Sequence, residues 1–367
     1  MSLRDRLTAQ IASGGPISVA QYMTACLHDP DFGYYATRPA IGAAGDFLTA
    51  PMVSQMFGEL VGVWAASAWE LMGRPDAVRL IEMGPGDGTL MGDILKTVRH
   101  APGFLEAADV WLVETSAPLL ALQAKRLGEV VQWASSLADV PEGAPVILIA
   151  NELLDCLPAR QFVRTAVGWA EQVVGLDAGG ELTFGLANTP AAGLLPQAAV
   201  GQVFEQSSAQ AALGAELGQR IAADSGVALL IDYGRAEPGF GDTLQALSRH
   251  EKVDPLDAPG EADLTIHADF PAVMAAARSQ GVEAALLTQS QFLARLGIGE
   301  RAEALVRAAP ARSAVIGRQL TRLIAADEMG ELFKVCAIHT PDWTPPAFEE
   351  PAFEEMDFEE PALDEGR

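Results

Sequence analysis

Positive charge is scarce in this chain. Its 367 residues hold 24 Lys and Arg against 49 Asp and Glu, a net charge of −25. A surface of that sign repels phosphate backbones, so nucleic acid is excluded as a primary partner. Cysteine is nearly missing. Cys26, Cys156 and Cys336 lie far apart with no Cys-x-x-Cys spacing, and they read as free thiols of a reducing compartment. Histidine is sparse too: His250 and His267 have no Cys or second His at ligand spacing, which excludes a zinc site. Each reads as a hydrogen-bonding loop residue before it reads as a catalytic base. No apolar run reaches the roughly 18 residues that a membrane span needs. The N-terminus, MSLRDRLTAQI, has no apolar signal-peptide core and too little arginine for a transit peptide. The expected location is the cytoplasm of a bacterium.

What is present suits a large folded unit, since 49% of the residues are hydrophobic. Leu3, Leu7 and Ile11 have helical spacing, and Gly14-Gly15-Pro16 stops that helix. Ser18 is placed to cap a second helix that Pro30 ends. A glycine-rich loop with Phe32, Tyr34, Tyr35 and Phe47 follows, too aromatic for ordinary disorder, and it reads as ordered against a ligand. Met52 to Met72 is predicted as one long helix. From residue 78 strands and helices alternate, and PVILIAN is nearly all apolar, as a central parallel strand should be. The alternation predicts an α/β fold with a doubly wound sheet.

Residues 160 to 185 break this rhythm as short antiparallel strands, before a Pro/Ala-rich stretch to 206 and a helix at 207–223. VALLIDYG returns to the sheet, a long polar loop follows, and VEAALLTQS and LFKVCAIH read as its last two strands. The expected division is an N-terminal helical or lid region (1–77), a core (78–340) with an insertion at about 160–225, and an acidic disordered tail (341–367). The tail repeats PAFEE and cannot bury enough apolar area to fold alone. It reads as a solvated segment, with docking to a basic partner as the alternative.

The chemistry centres on RLIEMGPGDGTLMG, residues 79–92. A buried strand runs into Gly84, Gly86 and Gly88, which let the backbone turn sharply beside a ligand, and a helix opens at Asp87 or Thr89. The dinucleotide pattern Gly-x-Gly-x-x-Gly needs glycine at 89 or 91, where Thr89 and Met91 stand. The observed spacing, Glu82-x-Gly84-x-Gly86-x-Gly88, looks like the first motif of class I S-adenosylmethionine (SAM) methyltransferases. Glu114 ends the next strand where an acidic residue accepts hydrogen bonds from ribose hydroxyls. Ser135 to Asp139 follow the third strand, where an adenine edge would lie. Asn151, Glu152 and Asp155 follow the fourth strand, at the end where such sheets bind ligands. There a carboxylate at Glu152 can orient a guanidinium and accept its proton. Asp232-Tyr233-Gly234 ends the fifth strand on the same edge.

Several segments together resemble the MidA-like family of SAM-dependent methyltransferases: GDFLTAPMVSQMFGE, EMGPGDGTL, LVETSAPL, ANELLDCLP, LIDYG with TLQALSRH, ADLTIHADF and MGELFKV. The resemblance covers residues from about 16 to 340. It implies a Rossmann-like core with a seven-stranded, mostly parallel sheet, an N-terminal helical extension and an inserted section. It implies S-adenosyl-L-methionine as cofactor, no metal, and a protein arginine side chain as acceptor, dimethylated symmetrically. The family's mitochondrial member acts on the 49-kDa-type subunit of respiratory complex I. Carried over by motif, Glu82, Gly84, Gly86, Gly88 and Glu114 hold the cofactor, with Asp46 from a lid that includes Gly45 and Phe47. Asn151, Glu152 and Asp155 stand on the acceptor side. Two other readings compete: an assembly or docking factor that retains a cofactor fold, and a nicotinamide-dependent oxidoreductase, against which the missing third glycine counts.

Overall fold

The computed structural model describes residues 2–37, 49–190, 195–248 and 251–349. Asp46, its neighbours Gly45 and Phe47, His250 and the repetitive end of the acidic tail lie outside the described residues.

The chain opens with helices α1 (Leu3–Gly14) and α2 (Val19–His28). Each has a capping box: the Ser2 and Ser18 hydroxyls accept from the amides of Asp5 and Gln21, whose side chains return the bond. The helix expected over Met52–Met72 is interrupted. Ser54 has extended dihedrals, and its hydroxyl accepts from the Met56 amide, so α3 runs Gln55–Leu71 behind a short turn, Ala50–Val53. That break matters later, because Thr49 to Met52 reach the site.

The central sheet contains β1 (Val78–Met83), β2 (Ala108–Val113), β3 (Gln132–Ala134), β4 (Val146–Asn151), β5 (Gly226–Arg235), β6 (Glu283–Thr288) and β7 (Phe333–His339). Their order is β6-β7-β5-β4-β1-β2-β3, and β7 alone of the seven runs antiparallel to its neighbours. A two-residue strand, Ala268–Asp269, adds to the end of β5. Helices α4 (Thr89–Val98), α5 (Ala117–Leu127), α6 (Ser208–Asp224) and α7 (Phe270–Arg278) lie between the strands in sequence.

Alternation along β4 explains why it is nearly all apolar. Ile147 and Ile149 enter one core with α3 and α4, while Val146, Leu148 and Ala150 enter the other with α6 and α7. Each fully buried Val, Leu or Ile there contributes about 1.5–3 kcal/mol of transfer free energy.

Antiparallel strands Arg160–Thr165, Gly168–Leu176, Leu182–Pro190 and Val203–Gln206 form a separate sheet, which Ile17–Ser18 joins by pairing with Val173 and Val174. The expected polar loop after β5 holds a three-stranded sheet of its own, Gln245–Ser248, Glu251–Val253 and Asp263–Thr265. Helix α6, which sequence reading put inside the insertion, packs on the central sheet through Leu213, Leu217 and Ile221. The expected tail also needs correction at its start. Trp64 donates its indole N–H to the Pro346 carbonyl at 3.1 Å, and Phe348 packs on Phe292 with ring centroids 6.1 Å apart, so residues 341–349 fasten onto the core. Among the described residues no helix is long and apolar enough to cross a membrane.

Close approach of β5 to β4 dictates one glycine. Gly226 has φ +119°, and a Cβ there would lie 2.0 Å from the Val146 carbonyl oxygen. Gly226→Ala should lower stability by about 2–4 kcal/mol, from backbone strain and overpacking together. Gly185→Ala, at an exposed position with open space around its Cβ, should change it by less than about 0.5 kcal/mol. Urea midpoints of the two variants check this, and equal shifts would refute it.

Candidate active site

Strands β1, β2, β4 and β5 end on one edge of the sheet, and the polar residues that follow them converge there. Met83 pairs with Val113 on one side and Ala150 on the other, and Asn151 pairs with Ile231. Gly84, Glu114 and Glu152 therefore leave the sheet at nearly the same level, beside Asp232 of β5, which runs on to Arg235.

The turn after β1 is built from left-handed residues: Gly84, Gly86 and Gly88 have φ of +64°, +56° and +80°. At Gly84 an added Cβ would lie 3.0 Å from the Leu153 Cδ1, so the turn and the β4 loop face each other without room for a side chain. Asp87 Oδ1 accepts from the Thr89 amide at 3.0 Å and its hydroxyl at 2.6 Å, which fixes the start of α4.

Two cavities flank this turn. The larger, of about 370 Å³, lies between the turn, Glu114 to Ser116 after β2, Leu153 and Cys156 after β4, and Leu27 to Ala36 of the N-terminal region. The smaller, of about 50 Å³, is enclosed by Thr49, Pro51 and Met52 over Glu82, Asp87, Asn151 and Glu152. Gly84, Gly86 and Glu152 border both, and among the described residues no Lys or Arg lines either one.

Glu82 is 2% exposed, and burial raises its carboxyl well above the usual range, with Asp87 and Glu114 adding to the effect and a Met91 amide bond opposing it. Among the described residues its Oε2 is buried without a hydrogen-bond partner, and so is Asn151 Oδ1. Both are acceptors at the small cavity that want a donor. Glu114 Oε1 accepts from the Thr115 and Ser116 amides at 2.8 and 2.7 Å, and Oε2 from Gln123 Nε2 at 3.2 Å. Burial raises the Glu114 pKa against those three bonds.

Glu152 has φ +53°, a left-handed conformation that costs a non-glycine residue about 1–3 kcal/mol. The bond from its amide to the Ile231 carbonyl at 2.8 Å holds it there. Asn151 Nδ2 and the Ala50 amide reach its Oε1 at 3.1 and 3.3 Å. Burial and the nearby Asp155 push its pKa up to about 7.

Asp155, named from sequence beside Glu152, lies beneath the loop, 5% exposed, and lines neither cavity. Burial pushes its pKa up to about 6. Asp232 is fully buried. Its Oδ2 accepts from the Leu154 and Asp155 amides at 2.8 and 3.1 Å, and its Oδ1 from the Tyr233 amide at 2.8 Å. It ties the β4 loop to β5 and lines neither cavity. Ser135 and Ser136 both donate to the exposed Asp139 at 2.7 and 2.8 Å, and none of these residues lines the large cavity. His267 packs edge-on against Tyr233 and is likewise absent from both linings.

Sequence reading missed part of the cavity wall. His28 stacks on Tyr35 with ring centroids 6.1 Å apart. The Tyr35 hydroxyl reaches the two Asp263 oxygens at 2.9 and 3.1 Å, and its carbonyl accepts from Ser116 Oγ at 2.7 Å. The expected role of the aromatic loop in lining a ligand site therefore falls to Tyr35, while Tyr34 is core.

Residues 60–288 match the family described as "Putative S-adenosyl-L-methionine-dependent methyltransferase". The mitochondrial protein arginine methyltransferase NDUFAF7 of Danio rerio is 35% identical over 367 residues, covering 92% of this chain and 86% of its own. The Homo sapiens protein of that name is 35% identical over 365 residues, covering 90% and 82%. A Burkholderia thailandensis protein crystallised bound to S-adenosyl-homocysteine superposes with a TM-score of 0.82 at 27% identity, covering 95% of this chain and 94% of that one.

The donor set here fits such a cofactor. Buried acceptors on Glu82 and Asn151 suit an ammonium, Glu114 suits ribose hydroxyls, and the glycine turn admits close approach of its backbone. Gly86→Val would put a β-branched residue at φ +56° against the ligand. It should weaken S-adenosyl-L-methionine binding by roughly a hundredfold, about 2.7 kcal/mol, with an unchanged far-UV circular dichroism spectrum. Calorimetry measures this, and undiminished affinity would place the cofactor elsewhere.

Proposed function

We propose that this chain, which belongs to the S-adenosyl-L-methionine-dependent methyltransferase family, methylates an arginine side chain of a protein, with Glu152 as the acceptor-side carboxylate. The observation that carries the reading is the charge of the small cavity. Glu82, Asp87 and Glu152 line it with Asn151, and among the described residues no basic one does. Such a lining favours a cation over a phosphate or a carboxylic acid. It also disfavours the nicotinamide reading, because a dinucleotide would bring its pyrophosphate to cavities whose described lining holds no Lys or Arg.

S-adenosyl-L-methionine, when bound, supplies an electrophilic methyl group on a positively charged sulfur. Glu82 and Asn151 would hold its ammonium, and Glu114 its ribose. On the acceptor side, Glu152 Oε1 is engaged by Asn151 Nδ2 and the Ala50 amide, which leaves Oε2 to accept a guanidinium N–H. Forming the new C–N bond would break the methyl–sulfur bond, leaving its electron pair on sulfur, and that carboxylate would take the proton the nitrogen gives up. Asn151 thus aims Glu152, Thr49, Pro51 and Met52 close the small cavity, and Asp232 holds the loop in place through the Leu154 and Asp155 amides. Asp155 acts on Glu152 through its charge, by raising the Glu152 pKa. The acceptor that the family resemblance implies is a counterpart of the 49-kDa-type subunit of complex I.

Glu152→Gln should leave the S-adenosyl-L-methionine affinity within about threefold and cut methyl transfer to the acceptor by about a hundredfold or more. Labelled methyl transfer into a lysate, followed by identification of the modified residue, checks it. Cofactor binding without any labelled protein would favour the docking reading, and label on a residue other than arginine would overturn the acceptor.

The pH profile gives a second expectation. A carboxyl raised to about 7 is protonated, and so unable to accept, below that pH. Activity at subsaturating acceptor should rise about tenfold per pH unit below 7 and level off above it. In Glu152→Gln this limb should vanish, and a wild-type profile flat from pH 5.5 to 8 would remove Glu152 from proton acceptance.

A further inference from the structure

Helix α5 turns one face to the cofactor turn, and at its centre is a residue that touches neither cavity. Gln123, Arg126 and Leu127 share that face at i, i+3 and i+4. Arg126 Nε donates to the Asp87 carbonyl at 2.9 Å and Nη2 to its carboxylate at 2.7 Å. A Cβ on Gly88 would meet Leu127 Cδ1 at 3.2 Å and Gln123 Cα at 3.6 Å, so the turn lies directly on the helix.

Gln123 itself is fully buried. Its Oε1 accepts from Trp133 Nε1 at 3.0 Å, and its Nε2 donates to the Gly86 carbonyl at 2.7 Å and to Glu114 Oε2 at 3.2 Å. The indole N–H can only donate, so it selects which end of the amide faces it. The two N–H groups are thereby directed to the glycine turn and the ribose carboxylate. Only a primary amide offers one acceptor and two N–H donors to these three neighbours: a carboxylate would oppose two acceptors, a lysine would leave the indole unpaired, and an aliphatic residue would leave every partner bare.

We propose that Gln123 is a positioning residue for the cofactor, fixing the glycine turn and Glu114 relative to each other through one amide whose orientation Trp133 sets. The proposal rests on S-adenosyl-L-methionine binding and not on the identity of the acceptor. Gln123 contacts no cofactor atom in this role. It acts through Gly86 and Glu114, so its removal should resemble partial loss of Glu114.

The test is a double-mutant cycle on the full-length protein, read by calorimetry with S-adenosyl-L-methionine. Gln123→Leu should raise Kd by about tenfold or more, raise KM for the cofactor in step, and leave kcat within about threefold. Glu114→Gln should also raise Kd, and the double variant should lose no more than about threefold beyond the worse single one. Urea midpoints measured without cofactor report stability separately. A Kd unchanged in Gln123→Leu overturns the proposal, as does full additivity of the two losses, which would make Gln123 a packing residue. Trp133→Phe serves if Gln123→Leu fails to fold. It keeps a ring in place and removes only the donor that orients the amide, so a Kd raised about threefold supports the proposal, and an unchanged Kd overturns it.

Discussion

The register of the parallel strands is the constraint on which the site depends. Met83 sits between Val113 and Ala150, and Asn151 beside Ile231, so β1, β2 and β4 end side by side while β5 runs on past them to Arg235. The first and the third then have to turn at once. The first does so with three left-handed glycines, and the third with Glu152, which holds a positive φ because its amide completes one more bond to β5. A ladder extended by that single bond therefore sets both the strain at Glu152 and the direction in which its carboxylate points. Shift β4 by one residue, and every side chain on it changes face.

Once the segments converge, the difficulty is charge. Glu82, Glu152, Asp155 and Asp232 crowd into a region from which most water is excluded, and burial raises the pKa of all four. Asp232 offsets its own burial with three backbone amides. Glu114 does the same with two amides and Gln123. Glu82 keeps an oxygen with no partner, and Glu152 has donors on Oε1 only. Glu82 and Glu152, the two left least satisfied, border the small cavity, while Asp232 lies behind them; Glu114 borders the large cavity with its three bonds made.

Much of the scaffold was legible because it rests on local chemistry. Apolar runs marked β4 and β5, the glycine spacing marked the turn, and Glu114 and Glu152 could be found as polar residues directly after apolar strands. Long-range pairing was not legible. Tyr35 and Asp263 are 228 residues apart, and nothing near either one points to the other. Gln123 lies mid-helix in LLALQAKRL, where a glutamine ordinarily faces solvent, and only the fold shows it buried among three polar partners. Asp155 and Asp232 occupy the right edge of the sheet, but their side chains turn beneath it. Ser54 interrupted an otherwise helical pattern because a hydroxyl can cap as readily as it can sit in a helix, a choice that packing decides.

The unpaired oxygens on Glu82 and Asn151 and the raised carboxyls around them also bear on the solvent proton. A carboxyl kept partly protonated by burial gives up that proton when a cation arrives beside it. Occupation of these cavities by a positively charged molecule is therefore an exchange, with a ligand entering and protons leaving. Apparent affinity then rises with pH across the range in which those carboxyls titrate, and the measured binding enthalpy includes the ionisation heat of whichever buffer takes up the protons.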